Sequence, residues 1–409
     1  MKRDFERLAE IGSTGDGGVH RPALSDSHLE ARHWFAELAR REGFELRVDG
    51  AGNHSARLPC GRAGAPTLLL GSHLDSVPHG GRFDGALGVV AALEVLRAVR
   101  QAGVERVVDL EAIDFTDEEG TWVCLLGSRA VAGTLSRTEF DRPRGSRQEL
   151  TERMRVAGMT ESGALAAARD PATLLAFLEL HIEQGPRLLS SGADVGIVDS
   201  IVGIGSFDLQ FNGRADHAGT TPIDRRRDAG RGAAATIVEA FELARREFSD
   251  CTVNFGRMVL TPGAYNIVPA HAELAVEFRA PETVRLHEFE RELTALARRR
   301  AESLQLDLCI IPGPTIAAVP CAPGVRQLFG EACRALGLSA IDLSSGAGHD
   351  TGTMAGLCPA GMIFVPSVGG SHSSREYAEW QACIDGTNTL LLATLALATE
   401  AAGYKETQR

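Results

Sequence analysis

The sequence predicts a mixed α/β protein in which a larger α/β domain is interrupted by a smaller α+β domain. In the first half of the chain, apolar strand-like segments alternate with helical ones, as in an α/β sheet with helices on both faces. In the middle, the order becomes strand-helix-strand-strand-helix-strand, which is the ferredoxin-like arrangement. At 409 residues the chain is also too long for one ordinary hydrophobic core, so two domains are expected.

The larger domain is predicted from alternating elements on both sides of the insertion. Before it, we predict strands at 67–70 and 107–115 and helices at 86–99 and 171–180, the last one starting with Pro171. After it, we predict helices at 324–336 and 380–402 and strands at 340–343 and 362–365. In such a sheet, ligands bind at the carboxyl ends of the strands.

The inserted domain is predicted from a change of pattern near residue 207. Residues 207–211 alternate apolar and polar side chains, as a half-exposed strand does. The elements that follow are helix 230–248, strands 252–259 and 272–278, helix 283–302 and strand 306–311. The predicted domains are therefore 1–206 and 315–409 for the two parts of the larger domain and 207–314 for the insertion.

Composition excludes several classes of function. A hydrophobic content of 44% and a charged content of 23% are those of a soluble globular protein. The net charge of -12 argues against a nucleic-acid surface, because phosphate binding depends mainly on Lys and Arg. The two arginine runs, 225–227 and 298–300, are typical of solvated helix faces, although each could also be an anion-binding patch.

The cysteines and the apolar runs indicate a cytoplasmic protein. None of the eight cysteines forms a Cys-x-x-Cys pair, and their scatter through apolar segments suits reduced thiols better than disulfides. The amino terminus lacks the apolar core of a signal peptide. The apolar run 390–398 is shorter than the roughly 20 residues of a membrane span and indicates a buried carboxy-terminal helix. We therefore expect no membrane partner.

Two predicted strands end in residues that bind metals. The apolar run from residue 68 ends at His73 and Asp75, and Asp84 follows among glycines before a helix. After the strand that follows, the sequence places Glu118 and Glu119 next to Asp117. Such a triplet of carboxylates repels itself unless something positive lies nearby. One glutamate can then bind a metal while the other accepts a proton from water, which is what metal-assisted hydrolysis requires.

Two further histidines extend this set. His181 ends the predicted helix 171–180 and could alternatively interact with the helix dipole, whereas His372 could be an ordinary loop histidine. His73 and Asp75 alone could be a hydrogen-bonded surface pair. Taken together, however, three histidines, one aspartate and one glutamate are accounted for by two metal ions that share a carboxylate.

Several of these motifs, in this order, resemble the amidase, hydantoinase and carbamoylase branch of the dinuclear zinc peptidases. That branch includes N-carbamoyl-L-amino acid hydrolases, allantoate amidohydrolases and β-ureidopropionases. The likeness extends over nearly the whole chain and rests on these segments: 71–75, 80–89, 116–120, 181–186, 215–222, 345–350 and 371–372. The resemblance implies a zinc-peptidase-like catalytic domain with a mixed sheet and an inserted lid and dimerisation domain.

The resemblance also implies the metal ligands. Asp84 would bridge two metal ions, His73 and His181 would complete one site, and Glu119 and His372 would complete the other. The set suits zinc, although manganese, cobalt or nickel could occupy it. A histidine at position 181, where peptidase relatives commonly have a carboxylate, points to the amidohydrolases.

The remaining implied roles concern catalysis and substrate. Glu118 would be the general base, and Asp75 would orient His73. His217 would stabilise the oxyanion in the active site of the partner subunit of a homodimer. The implied substrate contacts, with Arg279 gripping a carboxylate by a two-pronged bond, are Gln184, His217, Asn266, Arg279 and His349.

These roles predict an amidohydrolase that cleaves the ureido C–N bond of an N-carbamoyl-L-amino acid and releases the amino acid, ammonia and carbon dioxide. Allantoate is the alternative substrate. An aminoacylase or dipeptidase, or a metal-bound binding protein without turnover, are the competing functions. Three positions depart from the family pattern: the segment at Trp122–Val123, which could reshape a pocket wall, Glu277 and Ser374.

Overall fold

The computed structural model describes residues 1–399, which fold into two compact units. The first unit comprises Met1–Asp199, Cys321–Leu343 and the chain from Gly348 onward, and the second comprises Ser200–Pro320 with Ser344–Ala347. The helices are α1 (Lys2–Glu10), α2 (Asp26–Arg41), α3 (Ala86–Gln101), α4 (Leu126–Val131), α5 (Arg137–Asp141), α6 (Arg147–Val156), α7 (Glu161–Leu165), α8 (Arg187–Ser191), α9 (Ala229–Glu247), α10 (Thr283–Ser303), α11 (Pro323–Leu336), α12 (Asp350–Met354) and α13 (Trp380–Thr399). The strands are β1 (Glu45–Val48), β2 (His54–Leu58), β3 (Thr67–His73), β4 (Asp109–Phe115), β5 (Leu174–Ile182), β6 (Val195–Ile201), β7 (Gly203–Asn212), β8 (Thr252–Thr261), β9 (His271–Ala280), β10 (Asp307–Ile316), β11 (Val319–Pro320), β12 (Ala340–Ser345) and β13 (Ala360–Val365).

The first unit is built on a mixed sheet with strand order β1-β2-β4-β3-β5-β13-β6, in which β12 also pairs with β6. Strands β4, β3, β5 and β13 are parallel, whereas β2 and β6 run antiparallel to their neighbours. The carboxyl ends of the parallel strands meet at one edge, where His73 is in register with Phe115, and His181 with Phe364. This edge is where an α/β sheet binds its ligand.

The predicted helix 171–180 is wrong. Pro171–Thr173 forms a single 3-10 turn, and the chain then enters strand β5. All nine residues of β5 are buried, because the strand lies between β3 and β13 in the middle of the sheet. A strand buried on both faces has a nearly continuous apolar sequence, which periodicity alone does not distinguish from a buried helix. His181 therefore ends a strand rather than a helix.

The predicted buried carboxy-terminal helix is present as α13. This helix is long and apolar enough to cross a membrane by length and composition alone. It packs instead on α3, α11 and β13, with Leu390 and Leu397 in the main hydrophobic core. The apolar surface of α13 is thus explained by the core, and the last three residues of the predicted helix, 400–402, lie outside the described part.

The second unit contains a four-stranded antiparallel sheet of order β10-β7-β9-β8, with α9 and α10 packed on it. Alternate residues of β7, including Phe207, Leu209 and Phe211, are buried under the helices, while their neighbours are half-exposed. The fourth, first, third and second strands of the unit are adjacent in that order, which is the ferredoxin-like topology. The predicted fold class is thus confirmed.

A buried ion pair, Arg32 with Asp114, fixes the carboxyl ends of β3 and β4. Arg32, on α2, donates from Nε to Asp114 Oδ2 at 3.0 Å and from Nη2 to Thr116 Oγ1 at 2.7 Å. The other oxygen of Asp114 accepts from the backbone N–H of Leu74 at 2.8 Å. Arg32 and Asp114 are 2% and 0% exposed, so neither charge is solvated by water. The pair ties α2 to the segments that follow β3 and β4.

Replacing Arg32 with methionine is expected to lower the free energy of unfolding by about 3–5 kcal/mol, because Asp114 would remain buried without its counter-charge. Urea denaturation followed by circular dichroism measures the change. The matched control is Arg47→Met on β1, where the arginine side chain is 54% exposed, and we expect that variant to change stability by less than ~1 kcal/mol. Equal effects of the two substitutions would contradict a structural role for the buried pair.

Candidate metal centre

Two histidines from neighbouring parallel strands face the same aspartate. His73 ends β3 and His181 lies one residue before the end of β5, and both side chains are 1% exposed. The Nδ1 atoms lie 3.0 Å from the carbonyl of Asp75 and 2.9 Å from that of Ile182, so each ring donates from Nδ1. Each Nε2 therefore faces Asp84, 3.7 Å and 3.1 Å from its Oδ1, where it can bind a metal ion in place of a proton. This arrangement orients imidazoles as metal ligands.

A glycine allows the loop that carries Asp84 to approach the first histidine. Gly85 has a φ of +63°, a conformation that side chains disfavour. A Cβ atom at this position would lie between 2.4 and 2.5 Å from three atoms of the His73 ring. Glycine at position 85 is thus required for the contact, and α3 begins directly after it.

One buried carboxylate fixes both glutamates. Asp75 accepts from the backbone N–H of Glu118 at Oδ1 and from that of Glu119 at Oδ2, both at 3.2 Å. The carboxylate of Asp75 lies 3.9 Å from His73 Nδ1, whereas its main-chain carbonyl makes the hydrogen bond to that ring. Asp75 therefore contacts His73 through its backbone and positions the glutamates through its side chain.

The structure brings all five predicted ligands and Glu118 together. Three groups each place their ligand atoms within 4.8 Å of one another: His73, Asp84 and His181; His73, Glu118 and Glu119; and Asp84, Glu119 and His372. His372 Nε2 lies 3.5 Å from Glu119 Oε2 and 3.8 Å from Asp84 Oδ2. Asp84 turns Oδ1 toward His73 and His181 and Oδ2 toward His372, as a bridging ligand would.

The electrostatics of this cluster call for positive charge. Burial, together with the charge of Glu119, raises the pKa of Glu118 well above its usual range. Burial and then the charge of Asp84 raise the pKa of Glu119 to about 9. Burial opposes the protonation of His181, but its hydrogen bond to Asp84 raises its pKa to about 9, and the same bond lowers the pKa of Asp84 against the effect of burial. Without cations, these carboxyl groups bind protons in place of metals.

The donor set fits two divalent ions. Imidazole nitrogens and carboxylate oxygens are ligands that zinc, manganese, cobalt and nickel accept. Glu119 Oε1 is buried and has no hydrogen-bond partner within residues 1–399, so this oxygen is available to an ion. His372 is 55% exposed, which leaves the group that it forms with Asp84 and Glu119 accessible from solvent. The residues thus match the chemistry of a two-metal centre.

Three polar residues around Asp84 were not assigned to this centre from the sequence. Glu376 Oε1 accepts from the backbone N–H groups of Phe83 and Asp84 at 3.3 and 3.1 Å. Ser371 Oγ donates to Asp84 Oδ2 at 3.3 Å, and Gln184 Nε2, a predicted substrate contact, lies 2.8 Å from the same oxygen. Glu376 lies only four residues beyond His372, and this proximity was the one available signal.

His349 lies beside the cluster in the first unit. It directly precedes α12, is 2% exposed, and its ring centroid lies 4.6 Å from that of His181. Its Nε2 atom has no hydrogen-bond partner in the described part of the chain. The geometry leaves this nitrogen available for a ligand.

The other predicted substrate contacts belong to the second unit. His217 and Asn266 are on adjoining segments, because Ala218 N donates to the carbonyl of Asn266 at 3.0 Å. Arg279, near the end of β9, donates from Nε and Nη2 to Glu277 Oε1 and from Nη1 to the carbonyl of Gly346.

The exposed ring of His217 has a defined tautomer. Its Nδ1 accepts from the backbone N–H groups of Gly219 and Thr220 at 3.0 and 3.2 Å. Because Nδ1 accepts, the proton of the neutral ring is on Nε2. His217 therefore presents a hydrogen-bond donor at its exposed end.

Trp122 and Val123 belong to a buried hydrophobic core. The indole of Trp122 packs in this core with Phe140 and donates from Nε1 to the carbonyl of Ala23 at 2.9 Å. The expectation that this departure reshapes a pocket wall stays a prediction.

Comparisons with known proteins agree with this geometry. Residues 69–396 match the model of peptidase family M20/M25/M40. The chain is 36% identical to an N-carbamoyl-L-amino acid amidohydrolase of Geobacillus stearothermophilus, over 95% of this chain and 96% of that protein. It is 32% identical to an allantoate amidohydrolase of Bacillus subtilis, over 91% of each.

A solved structure shows the same likeness in three dimensions. It is an amidase of the hydantoinase/carbamoylase family from Burkholderia multivorans, with a TM-score of 0.90, 32% identity, and coverage of 98% of this chain and 97% of that one. The family resemblance inferred from the sequence motifs is therefore confirmed. The chain belongs to peptidase family M20/M25/M40 and, within it, to the amidase, hydantoinase and carbamoylase branch.

Proposed function

We propose that this protein hydrolyses the ureido C–N bond of N-carbamoyl-L-amino acids and releases the amino acid, ammonia and carbon dioxide. The observation that carries the proposal is the convergence of three histidines and Glu119 on Asp84, with Glu118 beside them; the histidines are His73, His181 and His372. Relatives that span nearly the whole chain and bear the N-carbamoyl-L-amino acid amidohydrolase name support the substrate class.

Two divalent metal ions complete the proposed centre. His73, Asp84 and His181 would hold one ion, and Asp84, Glu119 and His372 would hold the other. When bound, the ions supply Lewis-acid polarisation of the ureido carbonyl and lower the pKa of the attacking water. Zinc is the proposed metal, with manganese, cobalt and nickel as alternatives for the same donor set.

Glu118 is the proposed general base. It is 8% exposed, its Oε2 lies 3.6 Å from His73 Nε2, and its backbone is fixed by Asp75. Burial and neighbouring carboxylates raise its pKa, which favours acceptance of a proton. Glu118 takes the proton of the attacking water and returns it to the leaving nitrogen. His217 donates from Nε2 to the oxygen on which negative charge develops.

Arg279 is proposed to bind the carboxylate of the substrate. Three of its N–H groups are used by Glu277 and Gly346. One N–H on each terminal nitrogen is left for a two-pronged bond, which is the geometry that a carboxylate accepts. Asn266 is proposed as a neighbouring contact, and Gln184 and His349 as contacts in the first unit.

Allantoate is the alternative substrate. It presents the same carboxylate and ureido groups as an N-carbamoyl amino acid, and the relative from Bacillus subtilis is named as an allantoate amidohydrolase. Both substrates would use the same metal centre and the same base, so the proposed chemical steps are the same for either one.

We further propose a cytoplasmic homodimer in which 207–314 is the lid and dimerisation domain. All eight cysteines are free thiols, as expected in a reducing compartment. Strand β8 is an edge strand, and apolar side chains on it and on α9 are exposed: Val238, Phe241, Met258, Val259 and Leu260. An exposed edge with such an apolar surface is typical of an interface between subunits.

The proposal predicts which bonds the enzyme cuts. The metal-loaded protein, prepared with zinc, manganese, cobalt or nickel, is incubated with N-carbamoyl-L-methionine, allantoate, N-acetyl-methionine and a dipeptide. Free ammonia and free amine are measured. We expect ammonia from one or both ureido compounds and little product from N-acetyl-methionine or the dipeptide. Of the four compounds, only the two with a ureido group can release ammonia when that group is hydrolysed.

Two outcomes would contradict this assignment. Turnover of only the acetyl compound or the dipeptide would show an aminoacylase or a dipeptidase. Absence of turnover of all four compounds with all four metals would instead favour a binding protein.

Replacing Glu118 with glutamine is expected to lower kcat by ~10²–10⁴-fold, the contribution of a positioned general base, while both metal ions remain bound. Metal content by mass spectrometry and initial rates of ammonia release measure the two effects. Glu105→Gln, at an exposed glutamate, is the matched control. Near-normal turnover by the Glu118→Gln variant would remove Glu118 from the role of base.

If His217 acts in the active site of the partner subunit, two inactive variants should restore activity to each other in a heterodimer. His217→Ala and Glu118→Gln subunits carrying different tags are co-expressed, and the heterodimer is purified through both tags. One active site then combines an intact Glu118 with the partner's intact His217, so we expect about half of the wild-type rate per dimer from the two-fold symmetry. A heterodimer as inactive as both parent homodimers would show that His217 serves its own subunit.

A further inference from the structure

Two arginines of the run at 225–227 are not solvated helix-face side chains. Arg227 is half-buried and donates from Nε to the carbonyl of Gln305, and Arg226 makes contacts of a different kind. Arg225 is exposed at the end of a 3-10 turn. Arg226 is half-buried and its guanidinium reaches back across the preceding loop. Its Nε donates to the carbonyl of Thr221 at 3.0 Å, and its Nη2 donates to the carbonyl of Ala218. For Arg226 and Arg227, the helix-face interpretation of the sequence is therefore wrong.

The loop that Arg226 spans is the one that carries His217. The base of the loop is closed by a hydrogen bond of 2.9 Å from Arg214 N to the carbonyl of Arg227. Inside it, Thr221 N donates to the carbonyl of His217 at 3.1 Å. Arg226 is thus the side chain that crosses the loop and contacts its backbone on both sides of Gly219 and Thr220.

The contact with Ala218 bears directly on the imidazole. The carbonyl of Ala218 and the N–H of Gly219 belong to one planar peptide group, in which they point in opposite directions. Arg226 binds the oxygen of this group, and the N–H donates to His217 Nδ1 at 3.0 Å. Fixing the oxygen fixes the plane, and a cation on the oxygen strengthens the N–H as a donor.

We infer that Arg226 is a positioning residue that holds His217 in the tautomer with its proton on Nε2, turned outward as a hydrogen-bond donor. Arg226 acts through the Ala218–Gly219 peptide group and does not touch the substrate. The catalytic consequence rests on the proposed role of His217 at the oxyanion. We expect this role of Arg226 alone among the neighbouring arginines, because its single fork-shaped guanidinium binds two carbonyls of the loop that carries His217.

The test uses the zinc-loaded enzyme and the variant Arg226→Met, with Arg225→Met as the matched control. Nitrogen-15 NMR of histidine-labelled protein reports the tautomer of His217, assigned through His217→Ala. In the wild type and in Arg225→Met we expect an unprotonated Nδ1. In Arg226→Met we expect the two nitrogens to shift toward an average of both tautomers.

Kinetics gives the second readout. Loss of an oxyanion donor lowers kcat by ~10²–10³-fold, so a misoriented donor in Arg226→Met is expected to lower it by about 10–100-fold, with KM changed less than about twofold. In the His217→Ala background, the same arginine substitution should cost no further activity, because the two residues act as one unit.

The outcomes test two claims separately: that Arg226 positions His217, and that His217 stabilises the oxyanion. An unchanged tautomer and an unchanged kcat in Arg226→Met would overturn the inference, and so would an equal loss of kcat in the His217→Ala background. A His217→Ala enzyme with wild-type kcat would instead overturn the proposed role of His217. The NMR measurement would then still decide whether Arg226 sets the tautomer.

Discussion

The metal centre depends on one buried carboxylate, that of Asp75, which binds two successive backbone N–H groups. Glu118 and Glu119 are consecutive in the chain, and each donates its backbone N–H to one oxygen of this carboxylate. Asp75 holds both backbones, while the buried pair of Arg32 and Asp114 fixes the strand ends beneath them. The result is a dense group of carboxylates beside two histidines, which only protons or cations can neutralise.

This constraint explains how adjacent glutamates take different roles. Glu119 lies with Asp84 and His372, whereas Glu118 lies nearer to His73. The two residues are adjacent in sequence, and the backbone hydrogen bonds to Asp75 hold each of them in its own orientation. A ligand and a base can therefore come from the same turn, in a site where Glu376 and Ser371 support Asp84 from the other side.

Much of the site could be predicted from the sequence, because its ligands follow strand ends in short motifs. The sequence did not predict strand β5, since a strand buried on both faces lacks the alternation that marks a half-exposed one. It also did not predict how Asp75 divides its backbone and side chain between His73 and the glutamates. The support from Glu376 and Arg226 depends on which backbone groups the loops turn toward them, and no residue pattern records that.

The central claim is that two metal ions replace the protons that this crowded group otherwise binds. The most direct test is calorimetric titration of the metal-free protein with zinc near neutral pH, in buffers of different ionisation enthalpy. Because Glu119 and His181 have pKa values raised to about 9, we predict two zinc ions per chain and a net release of protons. That release should fall as the pH rises through 9, where the free protein has already lost them. Binding of a single ion, or binding without proton release, would contradict the account.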